Sequence, residues 1–271
     1  MLRHQRVALA GRPETAVRQF RLLSFNIQAG SETTAYRHYF TRGGQHGVGR
    51  ESQELTLRAI ADLFEEFDIV ALQEIDGGSL RSRFVNQVQY LADHAGFPHW
   101  YSQRNRDLGV LGQHGNGVLS RFAPWVVEDH RLPGAIPGRG ALVLRFGNEE
   151  ESLTIVCAHL SLGRRARWLQ LEYLAELVSQ YENVILMGDL NTSRYQLLRN
   201  SPLRDTDLVA PSLNHWTYPS WKPSQALDHI LVSSHLRASD GRTLGSVSSD
   251  HLPIALNVQI PPTMRLGVEA D

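Results

Sequence analysis

Short apolar runs alternate along the chain with stretches whose apolar residues recur every three or four positions. RLLSFNI (21–27) reads as a buried strand, and a Gly-rich loop follows over about 28–50. Leu57, Ile60, Ala61 and Phe64 fall at helical spacing within 51–66. DIVALQE (68–74) is a second buried strand, and Val85, Val88, Leu91 and Ala92 give a helix over 84–95 one apolar side. The middle is richer in strands: GNGVLSRF (115–122), WVVEDHRL (125–132), GALVLRF (140–146) and SLTIVCAHL (152–160), parted by Pro/Gly or Gly-Asn turns. The clearest helix spans 165–181, with Trp168, Leu171, Leu174, Ala175 and Val178 on one stripe. NVILMGDLN (183–191), ALDHILVS (226–233) and PIALNVQI (253–260) complete the strand pattern.

No repeat and no convincing linker divides this pattern. It predicts one α/β domain over 21–260, two sheets packed together with helices outside, with an N-terminal extension (1–20) and a C-terminal tail (261–271). A hydrophobic fraction of 42% in 271 residues is ample for a core of that size. The net charge of -1 argues against a strong sequence-independent grip on DNA, which takes a basic excess, and leaves room for a local basic patch. The lone Cys157 has no disulfide or zinc partner and reads as a small apolar strand residue. Val7 to Ala10 is too short an apolar run for a secretory signal, and no stretch approaches the ~20 apolar residues of a membrane span. The expectation is a cytoplasmic protein, with contact at the periphery of the inner membrane left open and a monomer as the simplest state.

Polar residues collect at the strand ends. Asn26 ends the first strand, Glu74 the second, His159 the SLTIVCAH strand, and Asp189 and Asn191 the VILMGDLN strand; Asp228 and His229 start another, and Asp250 and His251 precede the last. A single Asp after a strand is usually a turn residue or a helix cap, and a single His is usually a surface or satisfied core residue. So many at the strand ends of a layered α/β fold converge on a ligand-binding pole. The residue types suit one reaction. Hard cations take carboxylate oxygens such as those of Glu74 and Asp250, while Asn26 and Asn191 orient a phosphate or water without repelling it. A carboxylate beside a histidine fixes its tautomer or keeps it protonated. GxxxxGK[ST], GxSxG and HExxH motifs are missing.

Together SFNIQ (24–28), DIVALQEID (68–76), GNGVLSRF (115–122), IVCAHLSL (155–162), LMGDLNTS (186–193), LDHILVS (227–233) and SSDHLPI (248–254) resemble, in order, the endonuclease/exonuclease/phosphatase superfamily, the group of deoxyribonuclease I. The resemblance implies a four-layer sandwich, two mixed β-sheets face to face with helices on the outer faces. It implies Mg²⁺ or Mn²⁺, one ion or two, held by Glu74 and Asp250 with Asn26 beside them. His251, paired with Asp228, would contact the scissile phosphate or the attacking water, His159 would donate to a phosphate oxygen, Asp189 would position or deprotonate the water, and Asn191 would stabilise developing charge. His159 stands where abasic endonucleases tend to carry tyrosine. The expected reaction is in-line attack of water on phosphorus; which group is the base stays open.

Substrate choice lies in the loops. Those at 28–50, 76–83, 101–114 and 161–168 carry Arg42, Arg50, Arg81, Arg83, Arg104, Arg106, Arg164, Arg165 and Arg167, which suit an anionic ligand or are plain surface charges. The Gly-rich loop is a lid or a bland connection. Trp216, Tyr218 and Trp221 would stack on a base, meet a lipid or pack their loop. Asn116, Arg164, Arg165 and Trp216 are the substrate-contact candidates. A phosphodiester is the leading substrate, in a nucleic acid or a phospholipid head group. A phosphomonoesterase of a small or inositol-type phosphate and a non-catalytic phosphate-binding protein are the alternatives.

Overall fold

The computed structural model describes residues 18–28, 50–78, 85–107, 113–135, 137–211, 216–245, 249–260 and Met264. The expected extension and tail (apart from 18–20 and Met264), nearly all of the Gly-rich loop, and Arg42, Arg81 and Arg83 lie outside these residues; of Arg50 and Arg106 only the backbone is described.

Two six-stranded mixed sheets make the body of the domain. The first runs β11(Arg237–Thr243), β12(Ile254–Ile260), β1(Arg18–Asn26), β2(Ile69–Asp76), β4(Gln113–Ser120), β3(His99–Asp107). The second runs β5(Val126–Arg131), β6(Gly140–Gly147), β7(Ser152–His159), β8(Asn183–Asp189), β10(Asp228–Ser233), β9(Leu208–Val209). Each has one parallel pair at its centre, β1 with β2 and β7 with β8, and antiparallel neighbours on either side.

Both faces of the central strands are covered, which is why they read as continuous apolar runs rather than alternations. Along β1, Phe20 and Leu22 face the second sheet, packing in one cluster with Leu142, Leu144, Ile155, Cys157 and Ile185. Leu23 and Phe25 point the other way, onto α1(Arg50–Phe64) and α2(Gln87–Ala95) through Ile60, Phe64, Val88 and Leu91. On the far side Val143, Val156, Leu186 and Leu231 meet Leu171, Leu174 and Val178 of α3(Arg164–Val178). The order helix, sheet, sheet, helix is the expected four-layer sandwich. Cys157 lies in the central layer, fully buried, its thiol pushed up to about 12 by that burial.

Several limits shift from the sequence pattern. Asn86 accepts from the backbone N–H groups of Val88 and Gln89, so α2 starts three residues later than its apolar pattern, and Gly96 closes it with φ 67. α3 ends at Val178. Ser193 caps a short unanticipated helix, α4(Arg194–Arg199).

The parallel pairing in the second sheet depends on Gly188, opposite Ala158. Its φ is +146, and a Cβ there would lie 1.9 Å from the Ala158 carbonyl oxygen. Gly188→Ala is therefore expected to destabilise the fold by about 2–5 kcal/mol, read from the urea midpoint. A change below about 0.5 kcal/mol would show that the strand pair accommodates a side chain.

Candidate active site

The carboxyl ends of the two parallel pairs meet at one pole. Asp228, the first residue of β10, stands opposite Asp189, the last of β8, and His159 stands beside Asp189 on the other side. The segment leading into β12 is tied down there by the Ser249 hydroxyl, which donates to the carbonyl of Asn26. Asn26, Glu74, His159, Asp189, Asn191, Asp228, Asp250 and His251 are thus gathered in one place from both sheets.

Glu74 reaches the pole because β2 bulges. Gln73 pairs with Asn116 and Ile75 with Gly115, leaving Glu74 between them at φ 56. A left-handed Glu costs about 1–3 kcal/mol and persists only where its surroundings enforce it. Strand β3, on the other flank of Gly115–Asn116, bulges at Asn105 in the same way. Gly115 sits between the two bulges with no room for a side chain: a Cβ would lie 1.8 Å from the Gln103 carbonyl oxygen. Glu74, Gly115 and Asn105 all line the cleft.

Asp189 is the hub, 2% exposed. Its Oδ2 accepts from Asn26 Nδ2 at 3.0 Å and lies 3.3 Å from His159 Nε2; its Oδ1 accepts from the Asn191 backbone N–H at 3.0 Å. Burial above all, and then the charge of Asp228, carry its pKa up to about 7. Asn26 is held at both ends, its Oδ1 accepting from Gln28 N at 3.1 Å. Asn191, at φ 51, spends one amide hydrogen on the Leu160 carbonyl at 2.9 Å.

His251 leans on Asp228. Its Nδ1 is 2.8 Å from Asp228 Oδ2, while its Nε2 faces Asp189 Oδ2 at 3.8 Å. Burial lowers the His251 pKa, but the charge and hydrogen bond of Asp228, with Asp189 and Asp250, outweigh it and hold the pKa at about 9. The ring is thus an imidazolium at neutral pH. Tyr218 stands against it, ring centroids 5.0 Å apart. His229, beside Asp228 in sequence, points away from this cluster and meets the Thr192 carbonyl at 2.7 Å.

Arg139, which belongs to no motif of the sequence, places Nη1 2.7 and 2.9 Å from the two ring nitrogens of His159. A guanidinium only donates, so a neutral His159 accepts from it at Nδ1 and presents Nε2–H to Asp189. Arg139 also lines an open cleft of about 890 Å³ that runs from Glu74 and His159 past Arg165 and Leu162. Of the four substrate-contact candidates, Arg165 lines that cleft and Arg164 is exposed one residue before it. Trp216 is exposed near Tyr218. Asn116 is fully buried, its amide nitrogen bonded to Gln103 Oε1 and the Gly140 carbonyl; it braces the two bulges from within.

Two groups have the chemistry of a cation site. Asp250 Oδ1 is buried with no hydrogen-bond partner, and burial first, then the Glu74 charge among other influences, raises the Asp250 pKa; that carboxylate, with the Glu74 carboxylate near it, fits a hard divalent cation. Asp189, Asp228 and His251 also bring ligand atoms within 4.8 Å of one another. There Asp228 Oδ1 is buried without a hydrogen-bond partner, while Asp228 Oδ2 is taken up by His251 Nδ1.

The sequence pattern of the Endonuclease/Exonuclease/phosphatase family matches residues 23–251, which include every residue of this cluster. The chain belongs to that family. Solved structures agree on the fold. A family member from Beutenbergia cavernae is 18% identical with a TM-score of 0.64, the match covering 92% of this chain and 72% of the other. A mannosyl-6-phosphatase from Bacteroides thetaiotaomicron is 16% identical with a TM-score of 0.64, covering 89% and 100%. D. rerio TDP2, complexed with a single-strand DNA product, is 16% identical with a TM-score of 0.66, covering 89% and 99%. No curated protein matches the chain in sequence. Membership of the endonuclease/exonuclease/phosphatase family makes the chain a hydrolase by kinship, and no helix among the described residues is long and apolar enough to cross a membrane.

Proposed function

We propose that this chain is a divalent-cation-dependent phosphodiesterase, using Mg²⁺ or Mn²⁺, in which Asp189 activates the attacking water and His251 receives the charge that builds on the phosphoryl group. The observation that carries this reading is the pairing of opposite protonation tendencies at one spot: a buried carboxyl poised near neutral pH, 3.8 Å from an imidazolium.

Glu74 and Asp250 would hold the cation, with Asn26 beside them. When bound, the cation polarises the phosphoryl oxygens and stabilises the leaving oxygen. Asn26 and the Asn191 N–H fix both oxygens of Asp189, so the carboxylate meets a water in one orientation. Asp228 keeps His251 charged and aimed with Nε2 outward. The second amide hydrogen of Asn191 is a donor placed for a phosphoryl oxygen, and the Nε2–H of His159, which faces Asp189 Oδ2 at 3.3 Å, would be shared with a phosphoryl oxygen when substrate binds. No covalent phospho-enzyme is required. Likeness of fold extends to a phosphatase of a monoester and to a protein bound to a DNA product, so fold does not choose between ester types. The cleft supports the diester, since it leaves room for a second substituent on phosphorus along its Arg165–Leu162 side.

Hydrolysis of bis-p-nitrophenyl phosphate and p-nitrophenyl phosphate, with Mg²⁺ or Mn²⁺ and with EDTA, tests the reading. The diester is expected to turn over faster. EDTA should abolish the rate, and Glu74→Gln should lower it by about 10²-fold or more. Full activity in excess EDTA would remove the cation from the mechanism, and a faster monoester would make the enzyme a phosphatase.

A further inference from the structure

One wall of the cleft is apolar, and the hydrolytic chemistry has no use for it. Leu162 is 75% exposed and Leu169 43%; both line the cleft, and Trp168, on the same helical turn, is 46% exposed. At the His251 side of the site Trp216 and Trp221 are 59% and 48% exposed. Ser220 fastens their segment beside the site, bonding the carbonyls of Asp250 and Ser249 at 2.7 and 2.6 Å. Three of the ten large apolar side chains exposed among the described residues therefore lie around the start of α3, and two more lie on the segment that Ser220 fastens beside the site. Apolar groups gathered so, rather than scattered, mark a contact surface.

Its charge says what the contact is. Arg164, Arg165 and Arg167 share the segment of Leu162, Trp168 and Leu169, and the first turn of α3 has no acid. Cations at a helix start oppose the helix dipole, so helix formation does not explain them. Arg167 turns back to donate to the carbonyls of Ser161 and Leu162 at 3.0 and 2.7 Å, which fixes the loop that lifts Leu162 into solvent. Arg164 and Arg165 stay exposed. Leucine and tryptophan beside arginine suit the interface of an anionic bilayer. A nucleic-acid strand would use the tryptophans and arginines, but Leu162 and Leu169 offer no stacking face.

We propose that the face carrying the cleft docks onto an anionic phospholipid surface, with Leu162, Trp168 and Leu169 at the boundary of head groups and acyl chains and Arg164 and Arg165 against lipid phosphates. Taken with the phosphodiesterase reading, on which this last step rests, the substrate class is a phospholipid diester entering from the membrane side.

Co-sedimentation of the full chain with vesicles, in EDTA, tests docking apart from turnover. The chain should pellet with phosphatidylcholine mixed with phosphatidylglycerol and stay in solution with phosphatidylcholine alone, its tryptophan emission shifting to the blue on binding. Leu162→Glu/Leu169→Glu should weaken vesicle binding at least about tenfold, and Arg164→Gln/Arg165→Gln should erase the preference for phosphatidylglycerol. Absence of pelleting with the mixed vesicles would overturn the proposal. So would a leucine double variant that binds vesicles like the parent, or tight binding of labelled single-stranded DNA that the leucine changes leave intact while vesicles are ignored. Because only binding is read, failure here and failure of the hydrolysis assay are separate results.

Discussion

Asp189→Asn is expected to lower kcat on a phosphodiester by about 10²–10⁴-fold, the range a positioned general base supplies, while leaving the fold cooperative. Both oxygens of Asp189 accept hydrogen bonds, Oδ2 from Asn26 and Oδ1 from the Asn191 N–H. An amide fills the same volume, yet whichever way it turns, its NH₂ meets one of those donors. That mismatch costs on the order of 1–3 kcal/mol. Against it stands the removal of a carboxylate whose ionised form burial disfavours, as its raised pKa shows. The two effects oppose each other, so the melting temperature moves little while the rate collapses. Stopped-assay rates beside a calorimetric scan separate these outcomes. A variant that keeps the parent rate would remove Asp189 as the base; one that loses rate and fold together would make it a structural carboxylate.

The sheet centres are legible in the sequence because they are buried on both faces. Of the four edge strands, only β5, read as WVVEDHRL, is legible too. Strand β3, His99–Asp107, and strand β11, Arg237–Thr243, are the two outer strands of the first sheet. The sequences HWYSQRNRD and RASDGRT are polar, as exposed edges have to be to avoid pairing with other chains, and so they read as loop. β9 escapes notice for the same reason and because it has only two residues.

The site divides along a similar line. Residues inside apolar strand contexts, such as Glu74 in VALQE or Asp189 in LMGDLN, advertise themselves because a charge ending a buried run is otherwise costly. Arg139 lies in a glycine-flanked turn and gives no such signal. Strand register would reveal it: β6 and β7 form an antiparallel pair with Ala141 opposite Ala158, so the residue before β6 must lie beside the end of β7, where His159 is. Asn105 needs more, since its arrival at the cleft depends on a bulge in a strand that its polarity conceals. Asn116, named among the substrate-contact candidates, is turned inward by alternation along β4 and is fully buried.

The dependence of kcat/KM on pH should be a bell whose two limbs belong to Asp189 and His251 and move together when Asp228 is changed. Below about 7 Asp189 holds its proton and cannot act as base, so the rate rises through that value. Above about 9 His251 loses the charge that the phosphoryl group needs, so the rate falls. A cation at Glu74 and Asp250 favours the carboxylate and disfavours the imidazolium, drawing both limbs to lower pH as it saturates. Asp228→Asn takes away the largest influence that raises His251 and one of those that raise Asp189. Both limbs should then shift acid, the falling one further, toward the ordinary histidine value of 6.5. Stability of the cation-free protein follows the same groups. The raised His251 pKa contributes stability that is complete below 6.5 and lost as pH climbs through about 9. The raised Asp189 pKa makes ionisation costly as pH climbs from 3.8 through about 7. Both act in one direction, so the melting temperature in EDTA should fall steadily from about pH 6 to about pH 9.5, and less steeply in Asp228→Asn. A falling limb that stays in place in that variant would assign it to a group other than His251, and the Asp228–His251 pairing would lose its role in the reaction.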